Sequence, residues 1–267
     1  MAGVIGSPVR HSRSPAVVNA AFAAAGLDWT YAAFEVAPGR AADAVSAMRT
    51  LGLGGLSVTT PHKREVIASL DELTPAAADL DAVNCIAWDG DRLVGHNTDG
   101  DGLVASLRAS DRIDPTGARC VVLGAGGAAR SVVRALAEAG AADVAVVNRT
   151  PEKGEAAAAL AGAVGRSGTE ADLDSADLVI NATSVGMGAA PGAEGPLPVD
   201  PQRLGAHQVV VDLVYLPLQT PLLLLAEQRG ARTVDGLGML VHQAAIAIRL
   251  WTGVAPDIAA MDAAARA

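Results

Sequence analysis

The stretch Cys120-Val-Val-Leu123-Gly124-Ala125-Gly126-Gly127-Ala128-Ala129 decides the fold. Its four leading apolar residues read as a buried strand. The glycines behind them let the backbone turn tightly and approach a charged group at the N-terminus of the next helix. That helix is predicted over Ser131 to Ala139, because Val132, Val133, Leu136 and Ala139 recur at helical spacing and Gly140 stops it. A second apolar run, Val144 to Val147, then delivers Asn148-Arg149-Thr150. Strand, glycine turn, helix and strand together make a dinucleotide-binding unit, in which an acid roughly 20 residues past the turn usually holds the ribose hydroxyls. Asn148 stands there instead. The adjacent Arg149 guanidinium suits a two-pronged grip on a 2′-phosphate, so the expected cofactor is NADP.

Working outward, strand and helix signals alternate along the whole chain, which predicts an α/β architecture. Strands are expected at Gly3 to Ile5, Trp29 to Glu35, Gly54 to Val58, Ala82 to Trp88 and Arg92 to His96, the last two joined by the turn Asp89-Gly-Asp91. Helices are expected at Pro15 to Ala25, with Ser14 as its cap, and at Gly39 to Leu51, Lys63 to Leu70 and Pro75 to Leu80. A helix beginning at Gly100 and a linker from Asp111 to Gly117 lead into the cofactor unit. That unit continues through Asp177 to Ala182, a Gly/Pro-rich stretch from Gly186 to Pro201, Gln208 to Val214, a helix from Thr220 to Arg229, and Arg232 to Val234. The last helices, Leu237 to Trp251 and Pro256 to Ala265, add no strand and are expected to pack back on the first domain. The reading is therefore two domains with a cleft between them. Residues 1–100, completed by 237–267, form a substrate domain with a mostly parallel sheet, and residues 101–236 form a Rossmann-type NADP-binding domain.

Half of the 267 residues are hydrophobic, enough to bury a sizeable core, and the formal charge of -9 argues against nucleic acid or an anionic membrane as partner. A small-molecule partner is expected. No run approaches a membrane span and the N-terminus lacks a signal-peptide pattern, so the expected location is cytoplasmic, as monomer or homodimer. Cys85 and Cys120 lie in strand-like runs and read as buried thiols. The five histidines have no zinc-like spacing, so no metal is expected.

Only Lys63 and Lys153 are lysines among 20 basic residues. General cationic needs are thus met by arginine, which cannot release a proton, whereas a lysine can. Lys153, within Pro151-Glu-Lys-Gly-Glu, reads as a solvated lysine close to the Asn148-Arg149-Thr150 cluster. Lys63 ends a strand, where α/β folds bind ligands. Asp99 follows Asn97-Thr98 at a strand-to-helix junction and could simply cap that helix. A lysine and an aspartate from two such strand ends would converge on one sheet edge. Hydride transfer needs such a pair, since the protein must still supply one proton at the reacting oxygen.

With these residues in place the chain resembles the shikimate dehydrogenases over essentially its full length. Gly6-Ser-Pro-Val-Arg-His-Ser12-Arg-Ser14-Pro15 with Asn19 resembles the family's opening motif, and Ser57-Val-Thr59-Thr-Pro61-His-Lys63 its catalytic-lysine motif. Ala82-Val-Asn84, Asn97-Thr-Asp99-Gly, Asn181-Ala-Thr183-Ser184-Val185-Gly-Met187, Asp212-Leu-Val-Tyr215-Leu-Pro217 and Asp235-Gly236-Leu-Gly238-Met239-Leu-Val-His-Gln243 follow in order. Ser57 departs from the pattern, since many relatives carry Asn there, and His62 is given no role.

The resemblance implies reversible reduction of 3-dehydroshikimate to shikimate by NADPH, a step toward chorismate and the aromatic amino acids. Lys63 would exchange the proton and Asp99 would orient lysine and substrate. Thr59, Asn84 and Gln243 would complete the shell, and Ser12, Ser14 and Tyr215 would hold the substrate carboxylate. The cofactor would lie against Gly124, Ala125, Gly126, Gly127 and Ala128, against Asn148, Arg149, Thr150 and Lys153, and against Thr183, Ser184, Val185, Gly236 and Met239; for Met239 a core role is as good a reading. Other readings stay open: a quinate-using dehydrogenase of the same fold, a catalytically silent ligand sensor, or another two-domain NADP enzyme such as a methylenetetrahydrofolate dehydrogenase.

Overall fold

A computed structural model describes residues 1–109, 112–189 and 195–267. Asp111 of the expected linker and positions 190–194 of the Gly/Pro-rich stretch lie outside the described residues. The chain divides into two compact units, Met1–Gly102 with Leu240–Ala267, and Leu103–Met239. The sequence reading put these divisions at 100/101 and 236/237.

In the first unit β1 (Ala2–Gly6) is buried at every position and pairs in parallel with β2 (Tyr31–Glu35) and β3 (Gly55–Val58). Beyond β3 the direction reverses. β5 (Cys85–Asp89) and β6 (Arg92–His96) form a hairpin across the Asp-Gly-Asp turn, where Gly90 takes the left-handed φ of 61° that a tight turn demands. The sheet order is β2-β1-β3-β5-β6-β4, the last being β4 (Glu72–Leu73), a two-residue edge too short and polar to be read from sequence.

Helices cover this sheet through regular apolar faces. α1 (Ser14–Ala24) buries Val17, Val18, Ala21 and Phe22, and α2 (Ala41–Leu51) buries Ala41, Val45 and Met48 before Gly52 ends it in the left-handed conformation. Ser14 does not cap α1. The cap position is Arg13, and the Ser14 backbone N–H instead donates to Ser12 Oγ at 3.2 Å, because Ser14 is already the first helical residue. The helix expected at Lys63 to Leu70 is a short 3-10 turn over Glu65–Ser69, followed by α3 (Pro75–Leu80). α4 (Asp99–Ala109) starts at Asp99, one residue before the expected Gly100.

The second unit is a six-stranded sheet ordered β12-β11-β10-β7-β8-β9, parallel throughout. Its strands are β7 (Arg119–Leu123), β8 (Asp143–Val147), β9 (Gly165–Ser167), β10 (Leu178–Asn181), β11 (Val209–Asp212) and β12 (Arg232–Val234). Counted within the unit, this is the 3-2-1-4-5-6 order of a dinucleotide-binding fold, whose switch point lies between β7 and β10. Strands buried on both faces need uniform apolar runs, which Val121-Val122-Leu123, Val144-Ala145-Val146 and Val179-Ile180 supply.

α5 (Gly127–Glu138) begins four residues before the expected Ser131. Glycine and alanine carry no apolar periodicity, so its first turn was hidden in the sequence. α6 (Pro151–Ala158) and β9 were missed for the same reason, being built from Gly, Ala and polar residues. α7 (Pro221–Gln228) is capped by Thr220, whose side chain accepts from Leu223 N. α8 (Leu237–Thr252) and α9 (Ile258–Arg266) follow, and α9 packs on α1. Among the described residues no helix is long and apolar enough to cross a membrane.

Candidate active site

At one edge of the first sheet, four chain segments end together. β1, β3 and β6 point their C-terminal ends there, and antiparallel β5 begins there. The segment after β3 carries Thr59 and Lys63, Asn84 immediately precedes β5, and Asp99 follows β6 by three residues. Backbone bonds lock them in place: Thr59 N donates to Ile5 O at 2.9 Å, Val83 N to Lys63 O at 2.8 Å, and Val58 N to Asn84 O at 2.8 Å.

Side chains then converge. Lys63 Nζ donates to Asp99 Oδ2 at 2.5 Å, and Asn84 Nδ2 donates to Asp99 Oδ1 at 2.7 Å. Both carboxylate oxygens are thus engaged by side-chain donors. Asn84 is itself fixed, since its Oδ1 accepts Thr98 N at 2.8 Å and its Nδ2 also reaches Thr98 Oγ1 at 3.0 Å. Lys63 keeps 26% of its side chain exposed against 11% for Asp99, so the carboxylate is the more deeply buried partner and the ammonium stem keeps some access to solvent. Such a pair can hold a substrate hydroxyl and pass one proton.

Thr98, which the stretch Asn97-Thr-Asp99-Gly contains without marking it by any chemistry of its own, joins this set. It links Asn84 to α8, because Thr98 Oγ1 lies 3.2 Å from Gln243 O. The Gln243 side chain turns back on its own helix, donating from Nε2 to Leu240 O at 2.8 Å. Ser12 and Ser14 lie together and half-buried in the segment after β1. Asn19 is structural: it exchanges two hydrogen bonds with the Tyr31 backbone, 2.8 and 2.9 Å, tying α1 to β2. His62 is fully buried with its ring nitrogens on Val36 O and Glu65 Oε2, and Cys85 is a buried thiol that burial pushes up to about 12.

In the second unit the glycine turn leaves β7. Gly124 has φ 102°, and a Cβ there would press on the Thr183 methyl at 3.0 Å, so only glycine fits. Gly126 and Gly127 face open space, and α5 begins at Gly127 with no side-chain cap on its first N–H groups. After β8, Asn148 Nδ2 donates to Thr150 O at 2.9 Å and shapes the turn. Arg149, Thr150 and Lys153 are exposed at the start of α6, and Thr150 makes no capping bond of its own.

Thr183 and Val185 belong to a turn organised by Asn181, while Ser184 is exposed. Gly236 meets Leu213 O, which a Cβ would approach to 2.5 Å, so a close backbone crossing explains the glycine. Met239 packs half-buried against the core of its unit, and Tyr215 is half-buried after β11. Among the described residues no cluster of His, Cys, Asp or Glu is set to hold a metal ion.

Three family models match in sequence order: the shikimate dehydrogenase substrate binding domain over residues 4–86, shikimate / quinate 5-dehydrogenase over 108–187, and the shikimate 5'-dehydrogenase C-terminal domain over 236–266. The chain is 46% identical to the shikimate dehydrogenase (NADP(+)) of Moorella thermoacetica, covering 98% of this chain and 91% of that protein. It superposes with TM-score 0.91 and 37% identity on the Thermus thermophilus shikimate 5-dehydrogenase in complex with NADP(H) and shikimate, covering 99% and 98% of the two chains. Against the Corynebacterium glutamicum quinate dehydrogenase in complex with NAD the values are 0.87 and 33%, covering 98% and 97%.

Proposed function

This chain belongs to the shikimate dehydrogenase family, and we propose that it catalyses the reversible NADP-dependent reduction of 3-dehydroshikimate to shikimate, on the route to chorismate and the aromatic amino acids. The observation that carries the reading is the hydrogen-bonded set Lys63, Asp99 and Asn84 at one sheet edge. A silent ligand sensor would not need a half-buried lysine held against a buried carboxylate.

The residues of the second unit fit the cofactor. A glycine turn with no Cβ in the way and the uncapped start of α5 suit a pyrophosphate, and the exposed Arg149 and Thr150 at the start of α6 suit a 2′-phosphate. When bound, NADPH supplies the hydride. Lys63 gives its proton to the ketone oxygen as that oxygen becomes a hydroxyl, and takes one back in the reverse direction. Asp99 holds the ammonium in place and accepts hydrogen bonds from the neighbouring substrate hydroxyls. Asn84 keeps Asp99 from turning away. Ser12, Ser14 and Tyr215 hold the substrate carboxylate, and Thr59 and Gln243 complete the ring contacts.

Steady-state rates with shikimate and quinate, each with NADP and NAD, test the reading. Shikimate carries its carboxylate on a trigonal carbon, near the ring plane. Quinate has a tetrahedral carbon with an added hydroxyl, and two serines set for the first geometry hold the second less well. A pocket excludes one hydroxyl only modestly, so shikimate with NADP should exceed quinate with NAD by about 10²-fold in kcat/KM. Equal or greater efficiency with quinate and NAD would make this a quinate dehydrogenase of the same fold.

A further inference from the structure

Asp212 lies at the C-terminal end of β11, is fully buried, and among the described residues receives its carboxylate hydrogen bonds from neutral donors. Thr220 Oγ1 donates to Oδ2 at 2.7 Å, while Asn181 Nδ2 and Val214 N donate to Oδ1 at 2.9 and 3.0 Å. An uncompensated buried carboxylate is costly, and burial raises its carboxyl above the ordinary range. The three donors belong to three different segments. Asn181 closes β10, Val214 opens the loop that carries Tyr215, and Thr220 caps α7.

From Asn181 the network runs on. Its Oδ1 accepts Thr183 Oγ1 at 2.7 Å and Thr183 N at 3.1 Å, its Nδ2 reaches Val185 O at 3.3 Å, and Val185 N donates to Thr183 Oγ1 at 3.1 Å. The far ends of the two loops are tied as well, because Gly188 N donates to Leu216 O at 2.9 Å. Thr183 faces the glycine turn at Gly124, and Tyr215 sits one residue past Val214.

We propose that Asp212 is a positioning residue that couples the Thr183–Val185 loop to the Tyr215 loop, so that the cofactor-side and substrate-side contacts are set by one buried carboxylate. The coupling rests on the functional reading above only for what the two loops bind. The carboxylate offers acceptors to all three donors at once, whereas an amide of the same shape replaces one acceptor by an NH₂, so that Thr220 must reverse its hydroxyl or Asn181 and Val214 lose their shared acceptor.

Hydrogen–deuterium exchange on the ligand-free full chain tests the coupling without any ligand. In Asp212→Asn, amides of residues 183–188 and 213–217 should both exchange about 10-fold faster while those of β7 and α5 keep their rates, as local opening rather than global unfolding requires. KM for NADP and KM for shikimate should then rise together. Thr220→Val removes one donor and leaves the carboxylate, so it should move both loops in the same direction by a smaller factor. Acceleration in one loop only, in α7 alone, or uniformly across the unit would overturn the coupling, as would unchanged KM values in a folded variant. If the parent chain turned over no shikimate with NADP, the functional reading would fail, while the exchange result would still decide the role of Asp212.

Discussion

Lys63 Nζ stands 2.5 Å from Asp99 Oδ2, a contact between residues 36 positions apart that exists because β3 and β6 end at the same sheet edge. Asp99 gives its other oxygen to Asn84, so the ammonium faces a carboxylate that cannot rotate freely. A proton donor held in this way is oriented before substrate arrives.

Lys63→Ala should therefore lower kcat by about 10²–10⁴-fold with a smaller change in KM, as expected for loss of a positioned acid. Lys63→Arg should fail almost as badly, because a guanidinium keeps its charge but gives up no proton. Near-parental turnover in the Arg variant would mean that only positive charge is needed there.

The separate halves of this site were legible because each sat in a local pattern: a strand run ending in Lys63, and a strand-to-helix junction at Asp99. Their hydrogen bond was not, since register across the sheet appears nowhere in a single strand. The glycine turn and β8 were readable from apolar runs, whereas α6 and β9 were hidden by Ala- and Gly-rich sequence without periodicity. Asp212 is less legible still. Its one local signal is a carboxylate closing the run Val209-Val-Val211, a place where water is absent and partners must come from other segments.

Arg149 is exposed at the entry to α6 and is not needed for the shape of its own turn, which Asn148 holds through Thr150 O. Arg149→Ala should raise KM for NADP by about 10- to 100-fold and leave KM for NAD nearly unchanged, the loss expected for charge-assisted bonds to a 2′-phosphate. Measured with both cofactors, an Ala variant that still preferred NADP as strongly as the parent would move the clamp to Thr150 or Arg130.

Burial holds the His96 and His242 imidazoles below the ordinary histidine range, with Asp262 partly opposing the shift at His242. Between those lowered values and 6.5 the unfolded chain binds more protons than the folded one, so stability falls as pH drops below 6.5. The ion-paired Asp114, Asp172 and Asp177 are depressed from 3.8 and lose their contribution only at lower pH, while the raised Asp212 carboxyl takes up its proton more readily in the folded chain and opposes the fall, so the histidines set its direction only by outweighing that one carboxyl. Calorimetric Tm should be lower at pH 5.5 than at pH 7.5, and His242→Gln should narrow the gap. An unchanged gap in that variant would remove His242 from the account.

Gly102 fixes the backbone of Gln243. A Cβ at position 102 would lie 2.6 Å from Gln243 N, 2.7 Å from its Cβ and 2.8 Å from its Cα, distances at which α4 and α8 must move apart because no flexible side-chain tip is available to yield. The same strip of α8 receives Thr98 Oγ1 on Gln243 O, so a shift there is transmitted toward Asn84 and Asp99. Gly102→Ala gains helix propensity, roughly 1 kcal/mol over glycine, but overpacking of this kind costs roughly 1–3 kcal/mol. The balance is a modest fall in Tm. The larger effect should be on chemistry: KM for shikimate rises and kcat falls, while binding of NADP alone, measured by calorimetry, is unchanged because the affected contacts belong to the first unit. A variant with parental kcat and KM would show that the α4–α8 contact is free to relax without disturbing the Asn84–Asp99 set.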